Sequence, residues 1–375
     1  MTGTAGMPDR LLLGPGPSNA YPEVLAALGQ PLLGHLDPEF LRILDETSDR
    51  LRAAFRTTNA LTLPISGTGS AGMEACFVNL VEPGDTVIVG VNGVFGERMC
   101  EVARRSGAEV IRVEAAWGEP VDPQALLEAQ RAAAHARLVA VVHAETSTGV
   151  RSDIAPLRAL QDTDTLLLVD TVTGLAGIPV EIDAWGVDAC YSGTQKCLGV
   201  PPGLAPVTFS DRAVERIRTR TTPPQSWYLD LGLIGDYVGA ARKYHHTAPV
   251  SMVVALHAGL GVLLAEGLEA SWARHAAAGG RLQAELENLG FTLLARGGHR
   301  LPQLTTARLP EGSDEASLRR TVLERWGIEV GGGLGAFAGT AWRFGLMGHN
   351  ARERSVTTVL GAIRELQASG EMPSA

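Results

Sequence analysis

Over the first half of the chain, short apolar runs alternate with longer stretches in which apolar residues recur at helical spacing. The runs at 86–89, 109–113, 138–143, 166–170, 189–192 and 206–209 are nearly all apolar. Strands buried on both faces read this way. Helical spacing predicts helices at 72–80, 96–106, 122–136 and 154–161 between them. Strands alternating with helices imply a mostly parallel sheet covered by helices, so the fold class is α/β. After about residue 250 the rhythm changes. Long helices are predicted over 251–267 and 268–289, then strands near 304–308 and 341–344 and helices over 315–326 and 352–368, which together form a smaller α+β domain. Gly14-Pro15-Gly16-Pro17-Ser18 breaks any regular element, so the start of the chain is expected to be an arm packed on something else. The expected organisation is an arm at 1–18, a large domain at 19–266 and a small C-terminal domain at 267–375.

Composition narrows the function classes. The chain has 375 residues, of which 45% are hydrophobic and 19% charged, enough to bury a sizeable core. Net charge is −9, and the arginines are scattered rather than gathered in a stripe, so nucleic acid is not expected as a partner. No apolar run approaches the roughly 18 residues that span a bilayer, so no membrane is expected either. Residues 1–10 lack the pattern of a signal peptide, and the expected location is cytoplasmic. Cys76, Cys100, Cys190 and Cys197 form no CxxC pair, so free thiols and no metal are expected. The adjacent His245 and His246 resemble a metal pair, but neighbours on a strand point to opposite faces.

One compositional feature changes the picture. Lys196 and Lys243 are the only two lysines, and the other thirty of the 32 basic residues are arginine. Arginine replaces lysine on a wet surface, but its guanidinium cannot serve as an amine nucleophile. Lys196, in Tyr191-Ser192-Gly193-Thr194-Gln195-Lys196, therefore stands out, whereas Lys243 sits among ordinary surface charges in Arg242-Lys243-Tyr244. Two more features suit the same chemistry. Ser66-Gly67-Thr68-Gly69-Ser70-Ala71-Gly72 follows an apolar run and enters a helix expected to start near Met73, which suits a phosphate but equally a plain connector. Asp170 ends the run Leu166-Leu167-Leu168-Val169, at the strand edge where ligands of open α/β sheets collect, or else serves as a helix cap. Phosphate donors, a carboxylate and an amine together fit pyridoxal 5'-phosphate, whose ring nitrogen pairs with an acid and whose aldehyde condenses with a lysine.

The chain resembles the class V aminotransferases of fold type I, and within them the alanine/serine:glyoxylate aminotransferases. The resemblance runs from Leu11-Leu12-Leu13-Gly14-Pro15-Gly16-Pro17-Ser18 through Asp170-Thr171-Val172, Ser192-Gly193-Thr194-Gln195-Lys196, Tyr228-Leu229-Asp230 and Tyr244-His245-His246-Thr247 to Trp342-Arg343-Phe344-Gly345-Leu346-Met347-Gly348. It implies Lys196 as the Schiff-base lysine and proton carrier, and Asp170 as the partner of the ring nitrogen with Val172 against one ring face. It places Thr68, Gly69, Ser70 and Gln195 at the phosphate, joined by Tyr244 and Thr247 from the other subunit of a homodimer. Thr146 would approach the ring hydroxyl, and Arg343 would take the substrate carboxylate in a two-pronged contact. Ser70 and Phe95 stand where the animal enzymes carry His and Trp; Phe95 still offers a ring to stack. The implied reaction moves an amino group between alanine or serine and glyoxylate or pyruvate. Two rivals remain. A cysteine desulfurase-like lyase needs a catalytic cysteine late in the chain, and none follows Cys197. A non-enzymatic scaffold should have lost the lysine or the acid, and both are present. Without the resemblance, Arg343 reads equally as a bridge between carboxylates, and Cys197 as a packing residue.

Overall fold

The computed structural model describes residues 6–239 and 241–374, so the first five residues of the predicted arm lie outside the described residues. Seven strands form the central sheet in the order Leu61–Ser66, Leu204–Phe209, Ala189–Tyr191, Leu166–Asp170, Leu138–Val142, Thr86–Val91 and Glu109–Glu114. The last five run parallel. Leu204–Phe209 runs antiparallel to both neighbours, which leaves the sheet mostly parallel, as the alternating pattern implied. All six expected strands form, and the short apolar run before the small-residue loop supplies a seventh at the edge.

The inner strands are buried at every position, for example all of Leu166–Asp170 and Leu138–Val142. Their two faces feed separate apolar layers, one holding Val139, Val141, Leu167 and Val169 and the other Leu138, Ala140, Val142 and Leu168. The opposite edge strand, Glu109–Glu114, is only partly covered. Its polar residues are in use there: Arg112 pairs with both Glu97 and Glu114.

Two predicted helices differ in the structure. The segment expected to be helical at 154–161 is a 3-10 helix, Ala155–Asp162, with Leu157 N donating to Ile154 O. A proline at its second position and its short span favour the tighter pattern. The helix expected over 122–136 is Pro123–Ala132. Arg137 N donates to Thr86 O at 2.8 Å and draws the chain into the sheet, overriding the alanine run.

The arm is more regular than expected. Leu11–Leu12 pairs in parallel with Ile328–Glu329, and Leu13 is buried in the C-terminal core with Phe291, Trp342 and Phe344. That core covers a four-stranded sheet in the order Thr292–Leu293, Leu304–Arg308, Ala341–Gly345, Gly331–Gly332. The helices Leu268–Asn288, Glu315–Trp326 and Glu353–Ala368 flank it. Val250–Glu266 turns through 85° at Gly267 into Leu268–Asn288; Gly267 has φ +89°, a conformation costly for other residues. No single described helix is long and apolar enough to cross a membrane.

Candidate active site

Asp170 and Tyr191 are register partners at the ends of adjacent parallel strands. Their side chains meet: Tyr191 OH donates to Asp170 Oδ2 at 2.7 Å, and Val172 N donates to Oδ1 at 2.8 Å. The Val172 bond is the loop contact that the capping alternative called for. Asp170 makes it and also lines the cavity described below. Burial pushes its pKa up to about 6, against the pull of the two hydrogen bonds. A buried carboxyl with no cation within salt-bridge distance among the described residues is costly unless a cation joins it.

Lys196 lies on the loop after Ala189–Tyr191 and is 9% exposed. Its Nζ donates to the carbonyl of Pro15, so the arm roofs the lysine; Ser18 Oγ fastens the strap to Lys196 O at 3.0 Å. A Cβ on Gly16 would sit 2.6 Å from Nζ, and Gly16 has φ +112°, so only glycine fits. Burial lowers the lysine pKa to about 8; Cys197 raises it and the Arg343 guanidinium lowers it further. The amine thus gives up its proton far more readily than a surface lysine.

The helix after the small-residue loop starts earlier than expected. It spans Gly69–Leu80 with Thr68 at its cap, so Gly69, Ser70, Ala71 and Gly72 form its first turn. Close packing explains this. A Cβ on Gly72 would lie 3.0 Å from Cβ of both Ala205 and Tyr191, and one on Gly69 would lie 3.1 Å from Val172. Thr68 makes no side-chain cap bond, which leaves the helix N-terminus open toward the cavity.

Nine predicted residues line one cavity of about 180 Å³: Thr68, Gly69, Ser70, Phe95, Thr146, Asp170, Val172, Gln195 and Lys196. Gln195 Oε1 is buried there without a partner. A larger space of about 660 Å³, between Asp45, Arg52, Thr62, Asp211 and Arg242, contains none of the predicted residues.

Three predicted residues stand outside that lining. Tyr244 and Thr247 are exposed, and the Tyr244 ring lies 5.4 Å from the ring of His35. Arg343 is 9% exposed on Ala341–Gly345 and donates from Nε to Gly332 O at 2.7 Å. Among the described residues it forms no ion pair within 4.0 Å, so it does not bridge carboxylates. Burial lowers its pKa, and Glu145 counters that.

His245 and His246 overturn one expectation. They do not lie on a strand, and their rings do not point apart: the two Nδ1 atoms are 2.7 Å apart, and His246 Nε2 meets Ser66 Oγ at 2.9 Å. Among the described residues no three His, Cys, Asp or Glu side chains gather as a metal site. Lys243 is an exposed partner of Asp236 at 3.7 Å. Cys197 is buried, its thiol donating to Thr173 O at 3.4 Å and pushed up to about 12 by burial.

Sequence reasoning missed Tyr191, Pro15, Arg98 and Glu145. Arg98 lines the cavity with its guanidinium 4.9 Å from the centre of the Phe95 ring. Its signal was available, since it lies three residues after Phe95 on one helix. The Glu145 contacts span fifty residues and leave no sequence pattern.

Residues 11–352 match the sequence profile described as Aminotransferase class-V. The chain belongs to this family. An alanine–glyoxylate aminotransferase of Callithrix jacchus is 41% identical, covering 96% of this chain and 88% of its own. A solved alanine–glyoxylate aminotransferase from Nostoc sp. is 46% identical with TM-score 0.95, covering 98% of this chain and 97% of its own. The ureidoglycine–glyoxylate aminotransferase structure from Bacillus subtilis is 35% identical with TM-score 0.97, covering 99% and 96%. The chain is therefore an aminotransferase of fold type I, and the class V enzymes work with pyridoxal 5'-phosphate. The residues present fit that cofactor. The unpartnered Gln195 Oε1, the open helix N-terminus at Thr68 and the buried Asp170 carboxyl supply polar contacts around a cavity that also holds the lysine. Neither rival reading has support at the site. All four cysteines are buried and free, and the amine and the acid are both in place.

Proposed function

We propose that this aminotransferase takes the amino group of alanine or serine and passes it to glyoxylate or pyruvate. The observation that carries the reading is Arg343, a buried guanidinium without a carboxylate of its own, close enough to Lys196 to lower the pKa of the amine. A cation buried without a counter-charge is stabilised by an anionic substrate, and a planar guanidinium suits the carboxylate common to amino acids and 2-oxo acids. The relatives' names share glyoxylate as acceptor and differ in donor. Alanine, the donor named for two of these relatives, supports a small donor.

Thr68, Gly69, Ser70 and Gln195 would hold the cofactor phosphate, and Phe95 and Val172 would flank the ring. When bound, pyridoxal 5'-phosphate supplies an aldehyde that amines condense with and a ring that accepts the electrons of a broken Cα–H bond. Asp170, fixed by Tyr191 and Val172, would keep the ring nitrogen protonated. Lys196, its pKa lowered to about 8, would take the proton from substrate Cα and pass it on within the same half of the exchange, and would run that transfer in reverse in the second half. Arg343 orients the substrate, so that the Cα–H bond rather than another is broken. Thr146 would hydrogen-bond the ring hydroxyl.

Tyr244 and Thr247, exposed and outside the cavity, support a homodimer in which each subunit completes the other's phosphate site. A cytoplasmic location belongs to the same reading. The test is a transamination screen of alanine, serine and aspartate against glyoxylate and pyruvate, with sedimentation of the holoenzyme. Exchange from alanine or serine, at least about tenfold faster than from aspartate, is expected from a dimer. Preference for aspartate would remove the small-donor reading, and a monomer with full activity would remove the shared site.

A further inference from the structure

The helix Val94–Arg105 carries the stacking residue Phe95 at its second position, yet its cap residue is Gly93, which has no side chain to cap with. The cap comes from fifty residues away. Glu145 Oε2 accepts from Phe95 N at 3.0 Å, and the nearby Gly96 N favours the charged carboxylate. Glu145 Oε1 accepts from Ser147 N at 2.9 Å and Ser147 Oγ at 2.6 Å, while Ser147 Oγ accepts from Val94 N at 3.1 Å. The first two N–H groups of the helix are thus satisfied by one carboxylate and the hydroxyl it holds. Gly93 makes the approach possible: a Cβ there would lie 2.5 Å from both Cγ and Cδ of Glu145.

The same carboxylate bears on the second wall of the cavity. Thr146 sits between Glu145 and Ser147, both of which the clamp pins, and Thr146 and Phe95 line the cavity together. Glu145 is fully buried, with no cation within 4.0 Å among the described residues. The positive end of the helix dipole faces it instead.

We propose that Glu145 is a positioning residue of the transamination site, a remote cap that sets the Phe95 ring and the Thr146 hydroxyl in one fixed relation around the cofactor. Glu145 touches neither substrate nor cofactor in this role. It acts through two side chains that do. The proposal rests on the aminotransferase reading, in which Phe95 and Thr146 meet the ring.

The test is a double-mutant cycle read on the apoenzyme. Pyridoxal 5'-phosphate is titrated into wild type, Glu145→Gln, Phe95→Ala and the double variant, following the visible absorbance and induced circular dichroism of the bound cofactor. Glutamine keeps the volume but turns one acceptor into a donor facing an N–H or O–H donor. Glu145→Gln is expected to weaken cofactor binding about tenfold or more and to change the dichroism, and most of that effect should vanish once Phe95 is alanine. Gly93→Ala keeps the carboxylate but blocks its approach, and should reproduce the phenotype if Glu145→Gln does not fold. A merely structural role would lower the unfolding temperature and give additive effects on binding. Additive effects, or unchanged binding and dichroism in a folded variant, would overturn the proposal. If wild type itself bound no pyridoxal 5'-phosphate, the aminotransferase reading would fail instead.

Discussion

The two lysines occupy opposite environments, and the contrast shows what makes an amine chemically useful. Lys243 lies at the surface, its side chain 71% exposed and paired with Asp236. Such a pair adds little to stability and leaves the amine in water. Lys196 is buried beneath the Pro15 carbonyl, and burial outweighs the opposing pull of Cys197 and Asp170, helped by the Arg343 guanidinium. Burial with no carboxylate in salt-bridge contact among the described residues destabilises the ammonium form, which makes the free amine available for condensation and proton transfer. Position, not residue type, separates a catalytic lysine from a surface charge.

The largest expected effect separates the two directly. Lys196→Ala should lose the visible cofactor absorbance and about 10⁴-fold or more of turnover. Lys243→Ala should keep both, with stability within about 0.5 kcal/mol of wild type. Comparable losses in the two variants would dissolve the contrast.

Asp170→Asn sharpens it from the acid side. Turnover of the holoenzyme should fall on the order of 10²–10³-fold, because the amide cannot hold a protonated ring nitrogen in place. In the apoenzyme the same acid acts on stability. The folded pKa of Asp170 is raised to about 6, so the folded state holds its proton more tightly than the unfolded chain. The resulting penalty is full above pH about 6 and fades as pH falls toward 4. Relative to the variant, which lacks this titration, wild-type apoenzyme should therefore lose up to about 3 kcal/mol of stability between pH 4 and pH 7. Parallel stability curves for the two proteins would contradict the burial argument.

Lys196 gives the opposite window. Its folded pKa is lowered from 10.5 to about 8, so between those values the unfolded chain binds more protons and stability rises with pH. Wild-type apoenzyme should gain up to about 3 kcal/mol from pH 8 to 10.5, relative to Lys196→Met, which lacks the titration. Parallel curves for the two proteins would place the amine in water.

Much of this was legible before the structure. Periodicity located six of the seven strands of the large sheet, because strands buried on both faces carry few polar interruptions; the edge strand Leu61–Ser66, broken by Thr62 and Pro64, was not among them. Asp170 was visible as the single charge at the end of such a run, and Lys196 through the scarcity of its kind. What escaped depends on chain segments meeting in space. Tyr191 was given no role beyond its place in an expected strand, although register places its hydroxyl on Asp170. Glu145 gave no signal of its own, because its partner Phe95 lies on another element fifty residues away. The earlier helix start at Gly69 was hidden because glycine and serine look like loop until the close approach of Val172 and Tyr191 is seen.

A chain with only two lysines allows an unambiguous chemical map. Holoenzyme reduced with borohydride and digested should carry the pyridoxyl group on the peptide containing Lys196 and on no other. A label on Lys243, or no stable label at all, would contradict the assignment of Lys196 as the amine that bonds the cofactor.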